Sequence, residues 1–149
     1  MEKPRVLLAD DNEATCTLIR ALLQREFDVE VAIDGSEAIE KLKSREYAAI
    51  LLDLLMPVVD GYGVLDYLRA ERPELLQRVL IVTAALSARE MQRVRGYDVC
   101  GVIGKPFEVE HLFSAVQQCA ADRGQQSMKG PLVTSGMILL LAEMIVRRG

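Results

Sequence analysis

Tyr47-Ala48-Ala49-Ile50-Leu51-Leu52-Asp53-Leu54-Leu55-Met56-Pro57-Val58-Val59-Asp60-Gly61 decides how the rest of the chain is read. Its first part is a short apolar run without a polar face, the pattern of a strand covered on both sides by helices. The run ends on a carboxylate, Asp53, and Pro57 and the Asp60-Gly61 pair then mark a turn. Open parallel sheets carry their chemistry at strand C-termini, so Asp53 stands where a reactive group is expected. Two further apolar runs stop in the same manner: Val6-Leu7-Leu8-Ala9 at Asp10-Asp11, and Val79-Leu80-Ile81-Val82 at Thr83. Placed side by side and parallel, these three strands gather three carboxylates and a hydroxyl at one sheet edge.

The intervening segments read as helices. Residues 13–25 carry an apolar stripe of Leu18, Ile19, Leu22 and Leu23. Val29 and Val31 alternate with charged residues in a strand over 28–32, which places it nearer the edge of the sheet. Asp34-Gly35-Ser36 opens the next helix, in which Ala38, Ile39 and Leu42 share a face. After Gly61 the stripe is Val64, Leu65 and Leu68, ended before Pro73. The polar helix expected over 87–95 has only Met91 and Val94 as a strong apolar seam and should be the least firmly packed. Gly101-Val102-Ile103-Gly104 is a short fifth strand, followed by Lys105-Pro106 and a closing helix over 108–121 with Val109, Leu112, Phe113 and Val116 on its buried face. Five strand-helix alternations imply an α/β domain with right-handed crossovers and helices on both sheet faces.

The chain of 149 residues fits one ordinary domain, and with only 5% aromatic residues its core must be aliphatic. A net charge of -4 with no basic stripe argues against direct nucleic-acid binding. No stretch reaches the roughly 18 apolar residues of a membrane span, and the start lacks the apolar region of a signal peptide. The expectation is a soluble, cytoplasmic protein. Cys16, Cys100 and Cys119 share no C-x-x-C spacing, so neither a disulfide framework nor a zinc site is expected, and Cys16 and Cys119 read as small core or boundary residues. The lone His111 reads as a surface or packing residue. Residues 4–121 form the domain, 122–136 read as a polar, turn-rich linker, and 137–149 as a short apolar segment, helical in one reading, that packs back, pairs with another copy or begins a further domain. Residues 122–149 are net positive, whereas the body is acidic.

Asp10, Asp11 and Asp53 would repel one another at one sheet edge, and a bound divalent cation removes that conflict. Hard oxygen ligands select Mg²⁺ or Mn²⁺ over zinc, and Mg²⁺ accepts phosphate oxygens beside protein carboxylates. Asp53 is the natural nucleophile, able to attack phosphorus and hold the group as an acyl phosphate. Lys105 and the cation would clamp the phosphoryl oxygens, and Thr83 can donate its hydroxyl to one of them.

On these residues the chain resembles a response-regulator receiver domain of the two-component signalling family over about residues 4 to 121. The acidic pair Asp10-Asp11, the phosphoacceptor Asp53 within the run to Asp60-Gly61, the hydroxyl of Thr83 and the lysine of Lys105-Pro106-Phe107 match that family in order and separation. The resemblance implies a flavodoxin-like three-layer fold with a five-stranded parallel sheet of order 2-1-3-4-5. It also implies Mg²⁺ ligands at Asp10, mostly through water, Asp11, Asp53 and the backbone carbonyl of Leu55, and a cis peptide at Lys105-Pro106. The phosphoryl donor would be a sensor histidine kinase or a histidine phosphotransfer protein, and the output a changed protein contact with a downstream target or with another copy.

Two positions depart from the family pattern. Val102 stands where an aromatic ring, three residues before the lysine, commonly moves when the threonine engages the phosphoryl group. Leu55 stands where relatives can carry a polar side chain. The reading is a regulatory phosphoacceptor rather than a turnover enzyme. The alternatives are the N-terminal receiver of a longer effector-bearing regulator, a Mg²⁺-dependent aspartyl-phosphate phosphatase or phosphotransferase, and a receiver-like binding module that is never phosphorylated.

Overall fold

In the computed structural model, which describes residues 2–121 together with 132–133, the apolar runs form a parallel sheet. The strands are β1 (Arg5–Ala9), β2 (Asp28–Ala32), β3 (Ala49–Leu52), β4 (Val79–Thr83) and β5 (Gly101–Gly104), in the order β2-β1-β3-β4-β5. The helices are α1 (Glu13–Leu23), α2 (Gly35–Ser44), α3 (Gly61–Glu71), α4 (Ala88–Val94) and α5 (Val109–Ala121). This is the flavodoxin-like α/β fold that the sequence implied, with β2 at one edge as its alternation suggested. A sixth strand, β6 (Leu132–Val133), lies parallel to β5, with Leu132 beside Gly101 and Val133 beside Val102. These two residues fall inside the stretch read as a linker. The remainder of that stretch, and the apolar segment over 137–149, lie outside the described residues.

Because side chains alternate along a strand, the sheet sends one set of residues to each side. Leu7, Ala9, Ile50, Leu52, Val79 and Ile81 meet Leu42 of α2, Leu65 and Leu68 of α3 and Met91 of α4. Val6, Leu8, Ala49, Leu51, Leu80 and Ile103 meet Ile19 and Leu23 of α1 and Leu112 and Val116 of α5. Both faces are covered, which is why these strands tolerate no polar residue until they end. Four helices begin on a side chain that accepts a backbone N–H: Asn12 from Thr15, Asp34 from Glu37, Asp60 from Gly63 and Ser87 from Glu90. No helix of the described residues is long and apolar enough to cross a membrane.

Several details differ from the sequence expectation. Of the stripe expected on α1 only Leu18 departs, being 47% exposed; Ile19 and Leu23 are buried, Leu22 is half-buried against the same core, and Cys16 is buried as a small core residue. Val109 is likewise exposed at the start of α5, whose buried face is Leu112, Ala115, Val116 and Cys119. A 3-10 helix, Pro73–Arg78, precedes β4 and buries Leu75 and Leu76.

Cys100 and Cys119 form a disulfide, with Cα atoms 5.9 Å apart, which corrects the reading that expected none. The pair escaped because its partners are 19 residues apart and carry no local motif; only the packing of α5 beside the start of β5 brings them together. Closing a loop of that length restricts the unfolded chain by about 3 kcal/mol. Adding a reductant should therefore lower the urea midpoint of the wild-type chain, whereas Cys100→Ser should start lower and ignore the reductant. A wild-type midpoint indifferent to reductant would contradict this bond.

Candidate functional site

Strand register assembles the site before any side chain is considered. Ala9 lies beside Leu52, and Thr83 beside Gly104. The residues that follow, Asp10, Asp53 and Lys105, together with Thr83 itself, therefore emerge at one edge of the sheet. The Asp53 N–H donates to the Ala9 carbonyl at 3.0 Å, and the Lys105 N–H to the Thr83 carbonyl at 2.9 Å, so each strand end is fixed by its neighbour.

Asp10 and Asp53 are only 2% and 6% exposed. Asp10 Oδ1 accepts from the Asn12 N–H at 2.9 Å, and Asp53 Oδ1 accepts from the Leu55 N–H at 3.1 Å. Lys105 Nζ bridges the two acids, donating to Asp10 Oδ2 at 2.7 Å and to Asp53 Oδ2 at 2.9 Å. Burial opposes the charge on Lys105, but its hydrogen bonds to Asp10 and Asp53 and their attraction outweigh it, and its pKa lies above the ordinary value. Asp11 is exposed, and one carboxylate oxygen from each of Asp10, Asp11 and Asp53 lies within 4.8 Å of the others. A shallow cavity of about 530 Å³, lined in part by Asp10, Asp11, Asp34 and Pro57, opens beside them.

Thr83 is fully buried, and its Oγ1 accepts from the Ala85 N–H at 3.2 Å, which leaves the hydroxyl proton as a donor. Leu55 is anchored next to the acids by its N–H, while its side chain is 59% exposed. The Lys105–Pro106 peptide is cis, as the resemblance implied. The structure thus brings together the side chains of Asp10, Asp11, Asp53 and Lys105 and places Thr83 at the same edge of the sheet. Three acids against one lysine leave a net negative cluster in which Asp10 and Asp53 are buried and Asp11 faces solvent. Carboxylate oxygens converging at this spacing suit a small hard dication.

The sequence reading did not anticipate two backbone features in the loop that follows Asp53. Val58, 82% exposed, has a φ of 67°, a conformation that costs a β-branched residue on the order of 1–2 kcal/mol. Nothing in the local pattern announces it beyond its place between Pro57 and Asp60. Gly61 was read as a turn residue, yet its importance is proximity: a Cβ there would lie 2.4 Å from the Asp53 carbonyl oxygen.

An α/β sheet of this order, with acids and a lysine meeting at its C-terminal edge, falls into the class of two-component signalling receivers. Residues 6–117 match the model of the response regulator receiver domain, and the chain belongs to that family. It is 34% identical to the transcriptional regulatory protein PrrA of Mycobacterium leprae over 125 residues, 83% of this chain and 53% of that protein. The chain spans about half the length of the curated relatives it matches. Among solved structures it is similar to the receiver domain of Francisella response regulator 1452, with 28% identity, a TM-score of 0.73, and coverage of 80% of this chain and 98% of that one. It is also similar to the receiver domain of a Pseudomonas aeruginosa sensor histidine kinase that has magnesium coordinated in its active-site cleft, with 25% identity, a TM-score of 0.72 and the same coverage of both chains.

Proposed function

We propose that Asp53 accepts a phosphoryl group from the phosphohistidine of a sensor histidine kinase or phosphotransfer protein, and that the chain then exchanges protein contacts. The observation that carries this reading is the setting of Asp53: one carboxylate oxygen held by the Leu55 N–H, the other by Lys105, with Asp10 and Asp11 beside it. An Asp53 oxygen forms the new bond to phosphorus while the bond to the donor nitrogen breaks, leaving an acyl phosphate. Lys105 then meets negative charge on the phosphoryl oxygens, and Thr83 donates its hydroxyl to one of them. Mg²⁺, or Mn²⁺ with the same donor preference, would be held by Asp10, Asp11, Asp53 and the Leu55 carbonyl, and when bound supplies charge neutralisation for the phosphoryl oxygens. The magnesium in the Pseudomonas receiver supports that assignment.

The chain acts as a regulatory phosphoacceptor, not a turnover enzyme, since position 55 offers a leucine where an acid-base carboxylate would stand. Residues 4–121 are the switching unit, with no direct nucleic-acid contact, and association with a downstream protein or a second copy is its output. The regulator names of the relatives favour a second reading, in which the same receiver controls an attached effector. Beryllofluoride with Mg²⁺, a phosphoryl mimic, tests the switch by backbone NMR. Shifts should centre on residues 10–11, 53–55 and 83–95 in the wild type. Thr83→Ala should keep the first two groups and lose most of the third. An unchanged pattern in Thr83→Ala would count against Thr83 as the transmitter, and shifts centred elsewhere in the wild type against the site.

A further inference from the structure

A cluster of polar links joins α3 to α4, and the site as described makes no use of it. Tyr62, in the first turn of α3, is buried, yet its Oη donates to Glu90 Oε1 in the first turn of α4. The Arg93 guanidinium stacks on the same ring, 3.6 Å from its centre. Tyr97, just beyond α4, donates to Asp66 Oδ1 of α3 at 2.5 Å, and Arg69 lies 4.6 Å from its ring centre. The two tyrosine rings are 6.4 Å apart. Burial, and then the bond to Glu90, push the Tyr62 phenol well above its ordinary value of 10.0, so it remains a donor. α4 buries only Met91 and Val94, as its sequence suggested, so its placement depends on these links more than on apolar packing.

The two ends of the Tyr62–Glu90 link belong to different parts of the switch. Tyr62 follows Gly61, whose N–H donates to the Leu54 carbonyl at 3.0 Å, so the phenol end is tied to the backbone next to Asp53. Glu90 is tied to the other side of the site: its N–H is capped by Ser87, and the Ala85 N–H donates to Thr83 Oγ1. Any turn of Thr83 toward a phosphoryl oxygen would therefore act first on the segment leading to Glu90, which is bonded to Thr83 through Ala85, and not on Tyr62, which follows backbone held by Leu54. Val102, in the same core cluster, is too small to carry such a displacement.

We propose that the Tyr62–Glu90 hydrogen bond is a latch that holds α4 in the unphosphorylated position and must open when Asp53 is phosphorylated. The latch rests on the phosphoacceptor reading of Asp53. Coupling is reciprocal: if phosphorylation opens the latch, opening the latch in advance favours phosphorylation. Tyr97 and Asp66, at the far end of α4, serve as the pivot.

The test is the rate at which a small phosphodonor, acetyl phosphate with Mg²⁺, labels the full chain. A hydrogen bond to a charged group is large enough that Tyr62→Phe and Glu90→Ala should each label about fivefold to tenfold faster than wild type. The double variant should be no faster than either, because both remove one link. Tyr97→Phe loses a comparable bond and should lose stability without gaining rate, which separates the latch from general loosening. If Tyr62→Phe folds poorly, Glu90→Ala leaves the ring in place and carries the comparison with Tyr97→Phe. Unchanged or slower labelling in the foldable latch variants, additive gains in the double variant, or an equal gain in Tyr97→Phe would overturn the latch. A wild type that takes no label on Asp53 defeats the functional reading itself, whereas normal wild-type labelling with indifferent variants defeats the latch alone.

Discussion

Lys105→Met is expected to lower the stability of the metal-free chain by about 3 kcal/mol, the low end for removing one partner of a buried ion pair. Lys105 Nζ is the cation that separates Asp10 from Asp53, both almost wholly shielded from solvent. Methionine preserves the length and apolar stem of the side chain but leaves two buried carboxylates facing each other. The substitution should also make stability depend steeply on Mg²⁺. At a hundredfold excess over its dissociation constant a bound cation returns about 2.7 kcal/mol, close to what the lysine supplied. Urea denaturation with and without Mg²⁺ measures both effects. A loss below about 1 kcal/mol, or a stability indifferent to Mg²⁺, would show that the acids do not need this cation.

Gly61→Ala should be nearly as costly, for a reason of shape alone. The added Cβ would lie 2.4 Å from the Asp53 carbonyl oxygen and 2.7 Å from Leu54 Cα, and backbone atoms in the middle of a fixed loop cannot step aside as a side-chain tip can. Relieving the overlap moves either α3 or the peptide that carries Asp53, at about 3 kcal/mol. Phosphorylation should fall with it, since Asp53 is displaced relative to Lys105. Gly96→Ala is the matched control: its nearest new contact is the Arg93 carbonyl at 3.3 Å, and it should change stability by about 1 kcal/mol or less. Equal costs for the two substitutions, or normal phosphorylation in Gly61→Ala, would refute the steric account.

These two residues also show where the sequence is legible. Asp53 and Lys105 could be placed because each interrupts or follows an apolar run at a strand end, and a parallel sheet maps strand ends onto one edge. The helix starts were equally plain, since Asn12, Asp34, Asp60 and Ser87 are capping residues in capping positions. What stayed hidden is contact between segments distant in sequence. The Cys100–Cys119 bond, the Tyr62–Glu90 link and the closeness of Gly61 to Asp53 join residues whose own neighbours give no sign of a partner. The 3-10 helix at Pro73–Arg78 escaped for a different reason: so short a turn has too few residues to show a period. In α1 only Leu18 departs from the expected stripe: it remains outside, while Cys16, Ile19 and Leu23 pack into the core.

The most direct test of the central claim is the intact mass of the wild-type chain and of Asp53→Asn after incubation with acetyl phosphate, each with Mg²⁺ and with chelator. The wild type should gain one phosphoryl group only with Mg²⁺, and lose it on brief alkaline treatment while keeping it in acid. Asp53→Asn should gain none under any condition. Full labelling of Asp53→Asn, or wild-type labelling that survives chelation of Mg²⁺, would contradict a metal-assisted phosphoacceptor at Asp53.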